Sequence, residues 1–361
     1  MTEPIKGRGA QSANVPQRFG LSARQADGDW RDMREALDGP APRLRTSVFE
    51  ERPKSVLTYN TSPDLGFDRS VNAYRGCEHG CIYCFARPTH AYHDLSPGLD
   101  FETKLFAKPN AGELLRKALG RKGYKPQPIA LGTNTDPYQP IERRYRITRD
   151  VLEICLETRH PVVITTKSDR VLDDLDLLGD LAKLNLVAVA LSVTTLDPLL
   201  SGSLEPRAAS PAKRLVALRR LAESGIKAHC SIAPVIPGIT DQNMERIVEE
   251  ASKAGARSAS WLLLRLPHEV APLFREWLQV HFPDRADKVM SIVRQSRGGR
   301  DNDPKFFSRM RPRGVWADLF RQRFRLACRR ASLDNSRFDL DASKFHPPPA
   351  QSSIDAQLSL L

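Results

Sequence analysis

Six short apolar runs, each followed by a stretch with helical periodicity, leave this 361-residue chain few folds to choose from. The runs are Ser70–Gly76, Gln127–Gly132, Pro161–Thr166, Leu186–Ser192, Ile226–Ile232 and Ala259–Leu264. Between and after them lie helical patterns at Ala111–Leu119, Thr148–Glu157, Val171–Lys183, Asp241–Ala254 and His268–His281. Another starts at Ser210-Pro211 and stops before Gly225, a matched start and stop signal. Strands that alternate with helices pair in parallel, and right-handed crossovers either curl the sheet or wind it on both faces. Periodicity leaves an open sheet and a partial barrel equally open. In either, ligands gather beyond the carboxyl ends of the strands.

The segment after the first run reads Tyr74-Arg-Gly-Cys-Glu-His-Gly-Cys-Ile-Tyr-Cys-Phe85. Cys77, Cys81 and Cys84 form a CxxxCxxC triplet. Soft thiolates select iron–sulfur clusters, and three of them hold three corners of a [4Fe–4S] cube. The missing fourth thiolate leaves one iron open to a small molecule. A zinc site built from the three cysteines and His79, His90 or His93 is the competing reading. No second CxxC lies downstream to complete the paired ligand hairpins usual in structural zinc sites.

The triplet, with Tyr83 just before its last cysteine, resembles the signature of the radical S-adenosylmethionine (SAM) enzymes. The resemblance implies an α/β fold, a partial (β/α)6 TIM-like barrel over residues 53–285 with N- and C-terminal extensions. It implies that SAM chelates the open iron and is cleaved reductively to a 5′-deoxyadenosyl radical, with an electron donor such as flavodoxin or ferredoxin. Tyr83 then lies against the adenine. Within the superfamily the closest likeness is to the spore photoproduct lyase and DNA-repair photolyase group. That likeness covers the cysteine loop, the turn Thr133-Asn-Thr-Asp136, Lys167 and Ser192, and it implies SAM contacts from Thr135, Lys167 and Ser192. Asp136 joins them as an acceptor for an ammonium group. Two positions depart from the lyase. Its hydrogen-donating thiol corresponds to Thr133, and a tyrosine after its last cluster cysteine corresponds to Phe85. Cys230 and Cys155 are the candidate substitute hydrogen-atom donors.

Charge adds a second theme. The formal charge is +12, and between Arg294 and Arg330 twelve Lys and Arg face three Asp. Phe306, Phe307, Trp316, Phe320 and Phe324 are interleaved there. Guanidinium groups neutralise phosphates and aromatic faces stack on bases, so this region is expected to contact nucleic acid. The fourfold spacing of Trp316, Phe320 and Phe324 equally describes one buried helix face. The chain therefore divides into a polar, mostly unordered extension (residues 1–52), the barrel (53–285), a basic helical region (286–345) and a proline-rich tail (346–361). That tail ends Gln357-Leu-Ser-Leu-Leu361, which resembles the peptide by which bacterial repair proteins bind the sliding clamp, through Gln357, Leu358, Leu360 and Leu361.

The six cysteines do not form a secretory disulfide framework, and there is no apolar leader and no stretch long enough to span a bilayer. A cytoplasmic setting and no membrane partner are expected. The leading expectation is a radical SAM enzyme acting on nucleic acid, in lyase-type DNA repair or base modification. The alternatives are radical chemistry on a protein or small metabolite, and a non-catalytic zinc protein that binds nucleic acid.

Overall fold

The strands in chain order are β1 (Ser47–Glu50), β2 (Leu57–Tyr59), β3 (Arg69–Val71), β4 (Tyr74–Arg75), β5 (Lys104–Ala107), β6 (Ile129–Leu131), β7 (Val162–Thr166), β8 (Val187–Ser192), β9 (Lys227–Val235) and β10 (Ser258–Leu263). They come from a computed structural model that describes residues 7–11, 44–333 and 339–349. Seven of them form one sheet in the order β10-β9-β8-β7-β6-β3-β2. Every neighbour pair from β3 to β10 is parallel, and only β2 runs antiparallel at the edge. This is the expected (β/α)6 order in an unclosed, partial barrel.

The helical layer contains α1 (Ala111–Leu119), α2 (Ile147–Glu157), α3 (Leu175–Lys183), α4 (Pro198–Leu204), α5 (Pro211–Glu223), α6 (Met244–Lys253), α7 (Val270–His281), α8 (Ala286–Gln295) and α9 (Val315–Arg330). Ser210 caps α5, its hydroxyl accepting from the Lys213 N–H at 3.5 Å, as the sequence signal implied. One core joins the outer face of the strands to α1, α2, α3, α5, α6 and α9, with Ile129, Leu131, Val162, Ile164, Val187, Val189 and Leu191 all in it, and a second gathers α4, α7 and α8 around Cys81, Ile82 and Tyr83. Strand alternation turns Ala130, Ala188, Ala190, Ser192 and Ser231 to the other, concave face. Val163, Thr165 and His229 share that face, so small side chains predominate there among a few larger ones.

One expectation is corrected. The first run is not one strand. Val71 ends β3, the chain leaves the sheet at Asn72, and Tyr74 pairs with β5 in a separate sheet ordered β1-β5-β4. Asn72 causes the break: its side-chain oxygen accepts from the Asn134 N–H at 3.0 Å, fastening it to the turn after β6. Of the N-terminal extension, residues 7–11 and 44–52 are described. Ser47–Glu50 is the parallel partner of β5. Residues 7–11 lie against the cysteine loop, so tightly that a Cβ on Gly9 would sit 1.9 Å from the Gly80 oxygen.

The open edges of the sheet are bridged from outside. Asp64, in the hairpin between β2 and β3, accepts two hydrogen bonds from Arg309 (2.6 and 2.7 Å) and one from the Phe307 N–H (2.9 Å). The segment between α8 and α9 thereby ties the β10 side of the molecule to the β2 edge. No described helix is long and apolar enough to cross a membrane. The clamp-like residues Gln357, Leu358, Leu360 and Leu361 lie outside the described residues.

Candidate functional site

The cysteine loop follows β4 at the end of the molecule where the parallel strands terminate. Its backbone is held by one buried guanidinium. Arg87 donates to the carbonyls of Cys81 (2.9 Å), Gly80 (3.0 Å), Pro97 (2.9 Å) and Gly98 (3.1 Å). Its charge is met by the fully buried Glu102. Glu102 also accepts from the backbone N–H groups of Gly9 (3.0 Å) and Ala10 (2.9 Å). A buried charge is tolerated only when paired and hydrogen-bonded, and this pair is both. The loop is therefore preorganised by residues on both sides of it.

Cys77 and Cys81 are buried, Cys84 is half-buried, and all three are free thiols. Burial pushes each of them up from the ordinary thiol value, helped at Cys77 by the Asp136 carboxylate and at Cys81 by that of Glu205. Two tight turns link them, with the Gly80 N–H donating to the Cys77 carbonyl at 3.3 Å and the Cys84 N–H to the Cys81 carbonyl at 3.2 Å. A four-iron cube takes each thiolate at its own corner, and the donor set fits that group better than it fits zinc.

Asp136 organises the strand ends around the loop. One of its oxygens accepts from the Thr166 hydroxyl (2.6 Å) and the Tyr138 N–H (2.9 Å), the other from the Lys167 N–H (2.7 Å), with His79 Nδ1 at 3.4 Å. Burial works to raise this carboxyl, but the neighbouring His79 and these hydrogen bonds outweigh it and hold it at about 2. Thr135 donates its hydroxyl to the Tyr74 carbonyl at 3.0 Å. Both side chains are engaged as fasteners of the turn after β6. Gly132 opens that turn at φ +83°, with the Thr165 oxygen only 2.0 Å from where a Cβ would be.

Tyr83 is buried, and its hydroxyl donates to Glu205. Glu205 accepts also from the Thr194 hydroxyl at 2.7 Å and from Arg214, a buried guanidinium that donates to the Ser192 carbonyl at 3.0 Å. Burial works to raise Glu205, but Arg214 and then Lys167 hold it at about 2. Lys167 Nζ lies 5.8 Å from the centre of the Tyr83 ring. The structure thus brings Tyr83, Lys167 and the cysteines together and sets Asp136 and Thr135 under them. Ser192 is buried at the end of β8. Glu205, Arg214, Arg87 and Glu102 escaped the sequence reading, because nothing in the sequence marks them as buried, paired charges.

The remaining expectations separate. Cys230 points to the outer core, where Cys328 is its neighbour, and Cys155 is buried in α2 in the same core. His229 is the residue that β9 turns to the other face; its ring nitrogens pair with the hydroxyls of Ser258 (2.8 Å) and Ser260 (2.7 Å). Thr133 bonds Asn72, and Phe85 is exposed. In the basic region Phe320 and Phe324 are buried in the core and Trp316 packs against it, so these three serve packing rather than stacking on bases. Phe306 and Phe307 remain 53% and 52% exposed. Arg294, Arg309, Arg321 and Arg323 are ion-paired and Arg297 is buried on backbone carbonyls. Arg300, Lys305, Arg311, Arg313, Arg325, Arg329 and Arg330 are exposed.

A profile of the radical SAM superfamily matches residues 71–251. The uncharacterized protein Rv2578c of Mycobacterium tuberculosis is 35% identical over 261 residues, which is 71% of this chain and 76% of that protein. The uncharacterized protein MJ0683 of Methanocaldococcus jannaschii is 30% identical over 232 residues, 64% of this chain and 83% of that protein. Among solved structures, spore photoproduct lyase complexed with dinucleoside spore photoproduct superposes with a TM-score of 0.58 at 14% identity, over 78% of this chain and 79% of the lyase chain. That last likeness is one of fold.

Proposed function

The chain belongs to the radical SAM superfamily, whose enzymes use a [4Fe–4S] cluster and S-adenosylmethionine, and we propose that it uses both to act on a nucleic acid. Cys77, Cys81 and Cys84 are the cluster ligands. When bound, the cluster supplies the electron that splits the sulfonium of SAM. The observation that carries this reading is the preorganised three-thiol loop, whose Tyr83 ring lies 5.8 Å from Lys167 Nζ at the strand ends.

Each residue has a task that its contacts support. Lys167 presents a cation to the carboxylate of SAM. Tyr83, held by Glu205, offers a fixed aromatic wall to the adenine. Ser192 is the polar contact at the end of β8. Asp136 keeps the turn after β6 and the start of the segment after β7 in register, so that Lys167 leaves its strand in a defined direction. The small residues of the concave face give a substrate access to the site. Seven exposed cations and two exposed phenylalanines between residues 300 and 330 suit a phosphate backbone with unstacked bases. The fold shared with the lyase supports a damaged or modified base as the target. A reducing cytoplasm is the setting that suits the oxygen-sensitive group.

Anaerobic reconstitution tests the reading. The wild-type protein is expected to hold iron and sulfide and, once reduced, to form 5′-deoxyadenosine from SAM. The Cys77→Ser, Cys81→Ser and Cys84→Ser variants are each expected to lose both properties. A colourless wild-type protein refutes the cluster. Binding to single-stranded DNA or RNA is expected to weaken steeply with salt, with a log–log slope beyond about −2 for three or more phosphate contacts. A flat slope removes the nucleic-acid target and leaves the family chemistry standing.

A further inference from the structure

A cleft of about 280 Å³ opens beside the cysteine loop, between the turn after β6, the start of the segment after β7 and the approach to α5. Its charged lining is Arg143, Arg170, Arg207 and Lys213 against Asp169. Arg207 is paired with Glu78 and Arg170 with Asp173. Arg143 and Lys213 are exposed and have no ion-pair partner among the described residues. The cleft therefore presents uncompensated positive charge.

Its position gives that charge a meaning. His79 is part of the wall, and it stands two residues from both Cys77 and Cys81. Its Cα is then no more than about 7 Å from the Cα of either cysteine. The opposite wall is pinned to the same loop: the Arg207 N–H donates to the His79 carbonyl at 3.2 Å, and the Ala209 N–H donates to the Lys167 carbonyl at 3.3 Å. Lys213 belongs to the first turn of α5, which packs on the helical side of β8 and β9. Tyr138, also in the wall, belongs to the core on the helical side of the sheet, so a molecule in this cleft reaches the cysteine loop from that side.

We propose that this cleft anchors an acidic one-electron carrier protein that reduces the cluster. The inference rests on the reading of Cys77, Cys81 and Cys84 as cluster ligands. One electron leaves the reduced carrier and enters the oxidised cluster; no atom moves and no bond is made or broken. Encounters between redox proteins bury little area, commonly below about 1,200 Å² in total, so a small cationic anchor with complementary charge is enough to orient the carrier. A nucleic-acid phosphate would also suit the charge. The outer position disfavours it, since a base held here lies on the far side of the loop from the concave face.

Reduced flavodoxin, an acidic carrier, serves as the probe and dithionite as the small-molecule control. Bleaching of the reconstituted wild-type protein by flavodoxin is expected to slow severalfold when salt rises from about 0.01 M to about 0.15 M, as the screening length falls from about 30 Å to about 8 Å. The Arg143→Glu/Lys213→Glu variant is expected to bind oxidised flavodoxin at least about tenfold more weakly and to be reduced by it correspondingly more slowly. Dithionite is expected to bleach variant and wild type alike. Flavodoxin rates insensitive to both salt and the variant overturn the proposal, as does a variant that loses nucleic-acid affinity while keeping its flavodoxin rate. If the variant fails to take up iron, the salt response of the wild type decides alone. A wild-type protein that holds no iron refutes the cluster reading instead, which keeps the two failures apart.

Discussion

Glu205 joins Tyr83, Thr194 and Arg214 in one buried network, and each member loses its orientation if the carboxylate goes. Removing one partner of a buried ion pair leaves the other charge uncompensated, at about 3–5 kcal/mol. Glu205→Ala is therefore expected to lower the unfolding free energy, read by denaturant titration, by that order. Glu142 makes a different prediction. It is buried, accepts from the Tyr74 hydroxyl and from the Thr148 N–H at 2.8 Å, and burial raises it from 4.5 to about 7. The folded state thus holds a proton that the unfolded chain releases above pH 4.5. Its contribution is complete below about 4.5 and is lost as the pH climbs through about 7, a change of up to about 3 kcal/mol. Glu142→Gln is expected to flatten the dependence of the melting temperature on pH across that window.

Among the elements, the turn after β6 carries the most constraint. Gly132 combines a positive φ with a Thr165 carbonyl too close for any side chain. An L-residue in the left-handed region costs about 1–2 kcal/mol, and the contact with backbone adds to it. Gly132→Ala is expected to lower stability by at least about 2 kcal/mol in denaturant titration and to reduce the iron retained after reconstitution, because Asp136 and the loop it supports must shift. Helix α9 shows how one pattern holds two uses. Its period was legible, and it correctly suggested a buried face of Trp316, Phe320 and Phe324. The charge count around it suggested stacking aromatics as well, and the aromatics that stay exposed there are Phe306 and Phe307, which precede the helix.

For the whole molecule, closure of the barrel side is the decisive feature. The Arg309–Asp64 pair joins positions 245 residues apart and holds the basic segment across the open edge. Arg309→Ala is expected to speed amide hydrogen exchange in residues 300–311 while leaving the central strands β7 to β9 protected. Equal acceleration throughout would mean that the bridge supports the entire fold rather than one side of it.

Local pattern was enough to read the six parallel strands, their helices, the Ser210 cap and the thiol loop, because periodicity, turn chemistry and ligand spacing act over a few neighbouring residues. Even there the split at Asn72 was hidden, since its cause is a hydrogen bond to Asn134 sixty-two residues on. Folding alone selected which charges are spent on one another and which stay free. Tyr83 meets Glu205 across 122 residues, and Arg8, Gly9 and Ala10 meet Glu102 across more than ninety. Such partners carry no local signature: a buried carboxylate and a solvent one are the same letter, and only packing withdraws the water that makes them differ.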